Sequence, residues 1–183
     1  MDILQDLSLV TRWAAHGTVH LVGSVALGLV VEPDIDLEIY SPAPDIGKGF
    51  TVLAPLAALP GVRRARFTNT LGTADPGLYF QLQYERGDQT WKIDMWYLAE
   101  DYPGPRSCKL TGPLLCALTP ETRDRILAIK EAARERDEQV QGIRVYQAVL
   151  DGGITDYAGF QAWAASTPGG LSHWSPPADR AIG

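Results

Sequence analysis

The feature that most constrains this chain is a short stretch in which acids alternate with aliphatic residues: DIDLEIY, residues 34–40. Successive side chains of a strand point to opposite faces, so the aliphatic residues predict one apolar face. Asp34 and Asp36 then share the other face, within about 7 Å of each other. At about 4 Å two such charges repel by roughly 4 kcal/mol at an effective dielectric constant of 20. A strand that carries this pair therefore raises the question of what offsets the repulsion.

A third acid, Asp94, lies in an equally apolar strand, WKIDMWY. If the two strands are neighbours, the carboxylates of Asp34, Asp36 and Asp94 converge, and such a cluster is unfavourable unless a cation offsets it. Hard oxygen ligands suit Mg²⁺, and two such ions can hold the attacking and leaving oxygens of a phosphoryl transfer. We therefore predict a magnesium site at these three aspartates. The alternative is the ordinary solvated face of an antiparallel sheet, and we interpret Glu38 in that way.

A glycine–serine pair, Gly23 and Ser24, precedes the acidic strand after the short apolar segment TVHLV. Glycine allows a ligand to approach the backbone closely. Ser24 offers a hydroxyl at the predicted start of a short helix, where free N–H groups attract phosphate. The stretch therefore predicts a phosphate site and a metal site within one strand–helix–strand unit.

These motifs resemble the DNA polymerase β-type nucleotidyltransferase superfamily, in particular its minimal bacterial and antibiotic-modifying members. The resemblance consists of Gly23-Ser24, nine intervening residues, Asp34-Ile35-Asp36, and the later Asp94 in a second strand. It covers residues 19–98, about half of the chain.

The resemblance implies a mechanism and a role for each residue. Asp34 and Asp36 would hold two Mg²⁺ ions, and Asp94 would bind the catalytic ion and help to activate an acceptor hydroxyl. Gly23 and Ser24 would bind the β- and γ-phosphates of a nucleoside triphosphate. The hydroxyl would attack the α-phosphorus, so that pyrophosphate leaves and a nucleoside monophosphate is transferred.

The sequence departs from the family pattern at two places. Many members carry a basic residue shortly after the glycine–serine pair and a serine before the first aspartate, where this chain has residues 25–28 (VALG) and Glu32-Pro33. Another cation must then bind the triphosphate. Lys92, on the same strand face as Asp94, is our first candidate, and Arg64 and Arg66 are the next.

From these observations we expect a Mg²⁺-dependent nucleotidyltransferase that acts on a hydroxyl of a small molecule or a protein, with a nucleoside triphosphate as substrate. The alternative is a protein of the same fold without turnover, such as an antitoxin that binds a partner protein. The acceptor is encoded in no motif, and a homodimer is compatible with the length.

Composition narrows the class of protein. The chain of 183 residues has a formal net charge of −6 and a pI near 5.0, which disfavours non-specific nucleic-acid binding. No apolar run reaches the roughly 18 residues of a membrane span, and the first ten residues carry acids where a signal peptide needs basic residues. We expect a cytoplasmic protein that handles small molecules or another protein, with no membrane contact.

The order of predicted elements indicates the α+β class: a mixed sheet flanked by helices, then a helical C-terminal extension. We expect a nucleotidyltransferase-like domain at 1–103, a helical region at 104–166 and a flexible tail at 167–183. Thr119-Pro120 predicts the start of a long helix whose charged face we interpret as solvent-exposed. The segment 102–107 (YPGPRS), directly after Asp101, predicts a linker.

Overall fold

The computed structural model describes residues 3–167, 169 and 174–177 of the chain. Its helices and strands, in chain order, are α1 (Ile3–Asp6), α2 (Leu9–Ala14), β1 (Thr18–Val22), α3 (Gly23–Leu27), β2 (Asp34–Ser41), α4 (Ile46–Ala57), β3 (Val62–Asn69), β4 (Leu78–Arg86), β5 (Gln89–Ala99), α5 (Ser107–Ala117), α6 (Pro120–Glu135), α7 (Gly142–Leu150) and α8 (Tyr157–Ser166). The prediction of an α+β fold with a mixed sheet, flanking helices and a helical C-terminal extension is confirmed.

The chain divides into two compact units. The first comprises Met1–Val22 and Pro33–Gly104, and the second comprises Gly23–Glu32 and Pro105–Gly183. The segment that contains α3 is therefore grouped with the C-terminal helices and not with the sheet that precedes and follows it in the chain.

All five strands of the first unit form one sheet in the order β1-β2-β5-β4-β3. The pair β2–β5 is parallel, and the other three pairs are antiparallel. The pattern of residues 78–98, two strands around a turn at Arg86-Gly87-Asp88, predicts a hairpin. Strands β4 and β5 form this hairpin, with the turn at Gly87-Asp88. The parallel pair brings together two segments that lie far apart in the sequence, and it is the pair that carries the acidic residues.

One face of this sheet forms the core of the first unit. The predicted inward residues of β2 are buried, and β4 and β5 contribute the buried side chains of Phe80, Met95 and Tyr97. Trp13 of α2 packs against the rings of Phe80 and Tyr97, with centroid distances of 5.5 Å and 5.3 Å. Helix α4 lies close against this face, since a Cβ at Gly49 would come within 2.1 Å of the Phe80 ring.

The second unit has a hydrophobic core of its own. Its buried side chains come from α3, the segment after it and α5–α8, and they include Leu29, Ile126, Ile129, Val145 and Val149. A capping box begins α6: the Thr119 side chain accepts a hydrogen bond from the backbone N–H of Thr122, and the Thr122 hydroxyl accepts one from the N–H of Thr119.

Several element boundaries differ from the sequence expectation for identifiable reasons. Pro33 disfavours helical backbone at Glu32, which predicts that the short helix after β1 ends there. It ends instead at Leu27, because Gly28 adopts a left-handed φ of 67°.

Residues 41–49 (SPAPDIGKG) predict a loop. Helix α4 nevertheless begins within them, at Ile46, because Asp45 caps it by accepting a hydrogen bond from the N–H of Lys48. Helix α5 was not predicted.

Among the described residues, no helix combines the length and the apolar character needed to cross a bilayer. The predicted tail at 167–183 lies largely outside the described residues.

Candidate metal and phosphoryl-transfer site

Three carboxylates meet on one face of the parallel pair β2–β5. Asp36 lies directly opposite Asp94 in the strand register, and Asp34 lies opposite Lys92. Each aspartate offers an oxygen, and these three oxygens all lie within 4.8 Å of one another. The structure thus brings together the three acids that the sequence singled out.

Lys92 lies inside this cluster. Its Nζ is 2.9 Å from Oδ2 of Asp34 and 3.2 Å from Oδ2 of Asp94. Burial lowers the pKa of Lys92, but the hydrogen bond to Asp34 and the charge of Asp94 outweigh burial, so the pKa is raised above its usual value. The ammonium group therefore stays charged and partly neutralises the acids.

Two polar side chains of β4 hold the third aspartate. The hydroxyl of Tyr79 donates a hydrogen bond of 2.8 Å to Oδ1 of Asp94, and Nε2 of Gln81 donates one of 3.0 Å to the same oxygen. Nε2 of Gln81 also lies 2.7 Å from the Tyr79 hydroxyl. Burial, followed by the hydrogen bond to Asp94, raises the pKa of Tyr79, so its hydroxyl remains a donor.

The sequence reading did not identify Tyr79 and Gln81. A signal was present, because the two-residue turn of the β4–β5 hairpin fixes the register in which Gln81 pairs with Asp94. Alternation along β4 then places Tyr79 on the same face.

Asp36 shows the electrostatic strain of the cluster. Burial, together with the charges of Asp34 and Asp94, raises the pKa of Asp36 to about 7, although Lys92 opposes the shift. A divalent cation would favour the ionised form of all three carboxylates. The donor set consists of hard oxygens, which Mg²⁺ prefers, so the residues present fit such an ion.

Glu38 continues the same strand face but is not the solvated residue that we expected. Its side chain is only 6% exposed, and it accepts a 2.9 Å hydrogen bond from the hydroxyl of Tyr40. The expectation was wrong because alternation predicts which face a residue occupies but not whether that face is covered.

Gly23 and Ser24 begin α3, in the second unit. Gly23 has a left-handed φ of 68°, a conformation that favours glycine. The carbonyl of Ser24 accepts a hydrogen bond from the N–H of Leu29. Their predicted role in binding phosphate stays a prediction.

The segment after α3 is held by cationic side chains of α6. Arg123 donates to the carbonyl of Leu27, Lys130 donates to that of Leu29, and Arg134 donates to that of Val31. The three carbonyls belong to alternate residues from Leu27 to Val31, and the three cations lie on nearly the same side of the helix. The interpretation of the charged face of α6 as plain solvent surface was therefore wrong for Arg123 and Lys130, which are partly buried, whereas Arg134 is exposed as expected.

Arg64 and Arg66 lie on β3, the edge strand next to β4. Arg66 pairs with Gln81 and Arg64 with Gln83, so both are on the face that carries the carboxylates. Both are exposed.

No protein-family profile matches the chain, and no curated protein matches its sequence. Solved structures do share its fold. They include the Cid1 poly(U) polymerase with Mg and 3′-dATP bound (TM-score 0.58, 16% identity, 80% of this chain and 46% of that one). A cytoplasmic RNA terminal U-transferase gives a TM-score of 0.55 at 17% identity over 80% of this chain and 44% of that one.

The non-canonical poly(A) polymerase complex GLD-2–GLD-3 gives a TM-score of 0.55 at 15% identity, over 84% of this chain and 54% of that one. The chain thus spans about half the length of these proteins. The likeness confirms the predicted resemblance to polymerase β-type nucleotidyltransferases at the level of the fold.

Proposed function

We propose that this protein transfers a nucleoside monophosphate from a nucleoside triphosphate to a hydroxyl group, with Mg²⁺ bound by Asp34, Asp36 and Asp94. The observation that carries the proposal is the convergence of these three carboxylates, in register on two parallel strands, to within 4.8 Å. The fold likeness supports it, since one of the similar structures holds Mg and 3′-dATP.

In this proposal the metal supplies positive charge to the phosphate oxygens and to the attacking hydroxyl. The protein contributes positioning and electrostatic stabilisation. Asp94 accepts the proton of the acceptor hydroxyl, whose oxygen forms a bond to the α-phosphorus. The bond from that phosphorus to the bridging oxygen breaks, and pyrophosphate leaves.

The remaining roles follow the family resemblance. Gly23 and Ser24 bind the β- and γ-phosphates. Lys92 binds the nucleotide. Its contacts with Asp34 and Asp94 support this role, because a divalent ion would compete with the ammonium group for these two carboxylates. Lys92 would then be available to a phosphate oxygen beside the same carboxylates.

The position of Lys92 also favours one alternative. An ammonium group that bridges two of three acids is an arrangement that a non-catalytic protein of this fold, such as an antitoxin-type binding protein, could keep without any metal. In that case neither Mg²⁺ nor a nucleoside triphosphate would affect the stability of the protein.

Thermal unfolding with each nucleoside triphosphate separates the two functions. A ligand at a hundred times its dissociation constant stabilises the native state by about 2.7 kcal/mol. We expect a rise in melting temperature that requires both Mg²⁺ and triphosphate and is lost in Asp34→Ala. The control Asp88→Asn, at the exposed β4–β5 turn, should keep it.

The transfer itself is tested by incubating the protein with triphosphates, metabolites and candidate protein targets. Mass spectrometry should detect an acceptor that has gained one nucleoside monophosphate. No stabilisation by any triphosphate with Mg²⁺ would reject the enzyme and favour the binding protein.

A further inference from the structure

The polar face of the sheet continues beyond the carboxylates to the edge strand β3. In the strand register Asp94 pairs with Gln81 and Gln81 with Arg66, while Lys92 pairs with Gln83 and Gln83 with Arg64. Adjacent strands lie about 4.8 Å apart, so the backbone of Arg66 is about 10 Å from that of Asp94. One continuous surface therefore carries the proposed catalytic carboxylate and two guanidinium groups.

Packing on the opposite face of β3 fixes this orientation. Phe67, the residue after Arg66, packs on the apolar face. Its ring centroid is 5.0 Å from that of Phe50 and 5.0 Å from that of Phe80. Alternation then directs Arg66 to the polar face.

The two arginines have no partner in the described part of the chain, since neither makes a hydrogen bond or an ion pair there. The neighbouring Arg63, by contrast, is paired with Glu85 at 2.6 Å. In a protein of net charge −6, two unpaired guanidinium groups side by side are available to an anion from solution.

The direction of the reaction indicates which substrate this anion belongs to. In the proposed reaction pyrophosphate leaves towards Gly23 and Ser24, which follow β1 in the chain. An in-line displacement places the attacking and leaving oxygens on opposite sides of the phosphorus. In the strand order, β4 and β3 lie on the far side of the acidic strands from β1, so they are the acceptor side.

We infer that Arg64 and Arg66 bind a phosphate group of the acceptor, and that the acceptor is a small phosphate ester whose hydroxyl lies within about 10 Å of its phosphate. This inference rests on the proposed function and names the substrate class of the same site. Two guanidinium groups on alternate residues of one strand can both donate to a single phosphate dianion.

A polymeric nucleic acid fits this surface less well. Such ligands are bound by neutralising many phosphates, whereas this surface offers two free arginines beside three aspartates. The net negative charge of the chain also disfavours a polymeric nucleic acid as the acceptor.

The test compares Arg64→Gln/Arg66→Gln with a control that removes the same charge elsewhere, Arg63→Gln/Arg125→Gln. Both control arginines are paired with acids, Glu85 and Glu121 respectively. The probes are ribose 5-phosphate, ribose and a 5′-phosphorylated oligonucleotide with a free 3′-hydroxyl. Binding is measured by titration calorimetry with Mg²⁺ and an analogue of the stabilising triphosphate in which a methylene group replaces the oxygen between the α- and β-phosphorus, so that no transfer occurs during the titration.

We expect the wild type to bind ribose 5-phosphate at least about tenfold more tightly than ribose, and the Arg64/Arg66 variant to lose about tenfold or more of that affinity. The control variant should change it less than about twofold, and the stabilisation by triphosphate should persist in both. If the glutamine variant does not fold, Arg64→Lys/Arg66→Lys keeps the charge but loses the planar donors, and it should still weaken binding.

Three results would overturn the inference. One is equal affinity of the wild type and the Arg64/Arg66 variant for ribose 5-phosphate, including no affinity in either. The second is loss of triphosphate stabilisation in that variant, which would assign the arginines to the nucleotide. The third is tighter, arginine-dependent binding of the oligonucleotide, which would make the acceptor a nucleic acid. Failure of the proposed function would instead appear as no response of the wild type to triphosphate.

Discussion

The two faces of the five-stranded sheet are formed by alternate residues of the same strands, yet they differ in almost every physical property. The apolar face is closed: Leu37, Phe80, Ile93 and Met95 are fully buried, and Phe80 packs against Trp13 of α2 and lies next to Gly49 of α4. Even the indole N–H of Trp13 finds a partner there, 3.1 Å from the sulfur of Met95. Burial of this face removes apolar surface from water, and such burial is the main source of folding stability.

The polar face concentrates charge in a way that opposes folding. Three carboxylates share it, and the one at Asp36 is pushed towards its neutral form. Burying like charges together is unfavourable unless a cation offsets them. The difference between the faces indicates where the functional site lies, because side chains that lower the stability of the metal-free protein cluster on one face only. Substitutions of the buried apolar side chains should therefore lower the free energy of unfolding, and removal of a clustered carboxylate should raise it.

The largest effect is expected on the apolar face. Phe80→Ala removes a side chain that is fully buried between Trp13 and Phe67. We expect a loss of about 3–5 kcal/mol in the free energy of unfolding, measured by urea denaturation with circular dichroism. Leu71→Ala, at a residue that is 43% exposed, is the control and should cost less than about 1 kcal/mol. Similar losses in both variants would mean that this face is not the main source of stability.

Replacement of Asp36 is expected to raise the free energy of unfolding when it is measured in a buffer that contains a chelator. Because its folded pKa is about 7 and its ordinary value is 3.8, the folded protein keeps a proton that the unfolded chain loses between these values. The contribution of Asp36 to the stability of the wild type therefore falls as the pH rises from about 4 to about 7. Asp36→Asn cannot ionise and should be more stable than the wild type by on the order of 1–3 kcal/mol above pH 7.

This gain should vanish at about pH 4, where the aspartate is protonated in the folded protein. Melting temperatures from pH 4 to pH 8 measure it, with Asp88→Asn as a control that removes one exposed charge. A gain that is independent of pH, or a loss at neutral pH, would contradict the electrostatic origin of the shift.

Much of this contrast could be read from the sequence. Alternation in residues 34–40 predicted which side chains of β2 face the core, and Asp94 was recognised as an acid in an apolar strand. These features are local, because the two-residue period of a strand is a property of the backbone. The Gly87-Asp88 turn likewise marked the hairpin.

The rest depended on contacts between distant segments. That β2 pairs with β5 in parallel, with Asp36 opposite Asp94, follows from no local pattern, since such pairs are joined by long crossover connections. The burial of Glu38 depends on what covers its face, and the contacts of Arg123 and Lys130 with carbonyls of the segment after α3 are set by tertiary packing. Charge along a helix does not reveal whether it faces water or a backbone.

The smallest effect concerns the fine positioning of the acidic cluster. Tyr79→Phe removes one of the two hydrogen bonds to Oδ1 of Asp94 and leaves the one from Gln81. A single hydrogen bond contributes about 0.5–1.5 kcal/mol, so we expect kcat of the proposed transfer to fall by about 2- to 12-fold. The KM for the triphosphate should not change, because Tyr79 acts on the orientation of Asp94 and not on nucleotide binding.

The matched control is Tyr84→Phe, on the same strand but on the opposite face, which should leave kcat unchanged. Steady-state kinetics of both variants, with melting temperatures to show that they are folded, separate positioning from a general loss of stability. If Tyr79→Phe raised KM and left kcat unaltered, the hydroxyl would belong to a substrate contact and not to the support of Asp94. Asp94 would then be held in place by Gln81 and Lys92 without the Tyr79 hydroxyl.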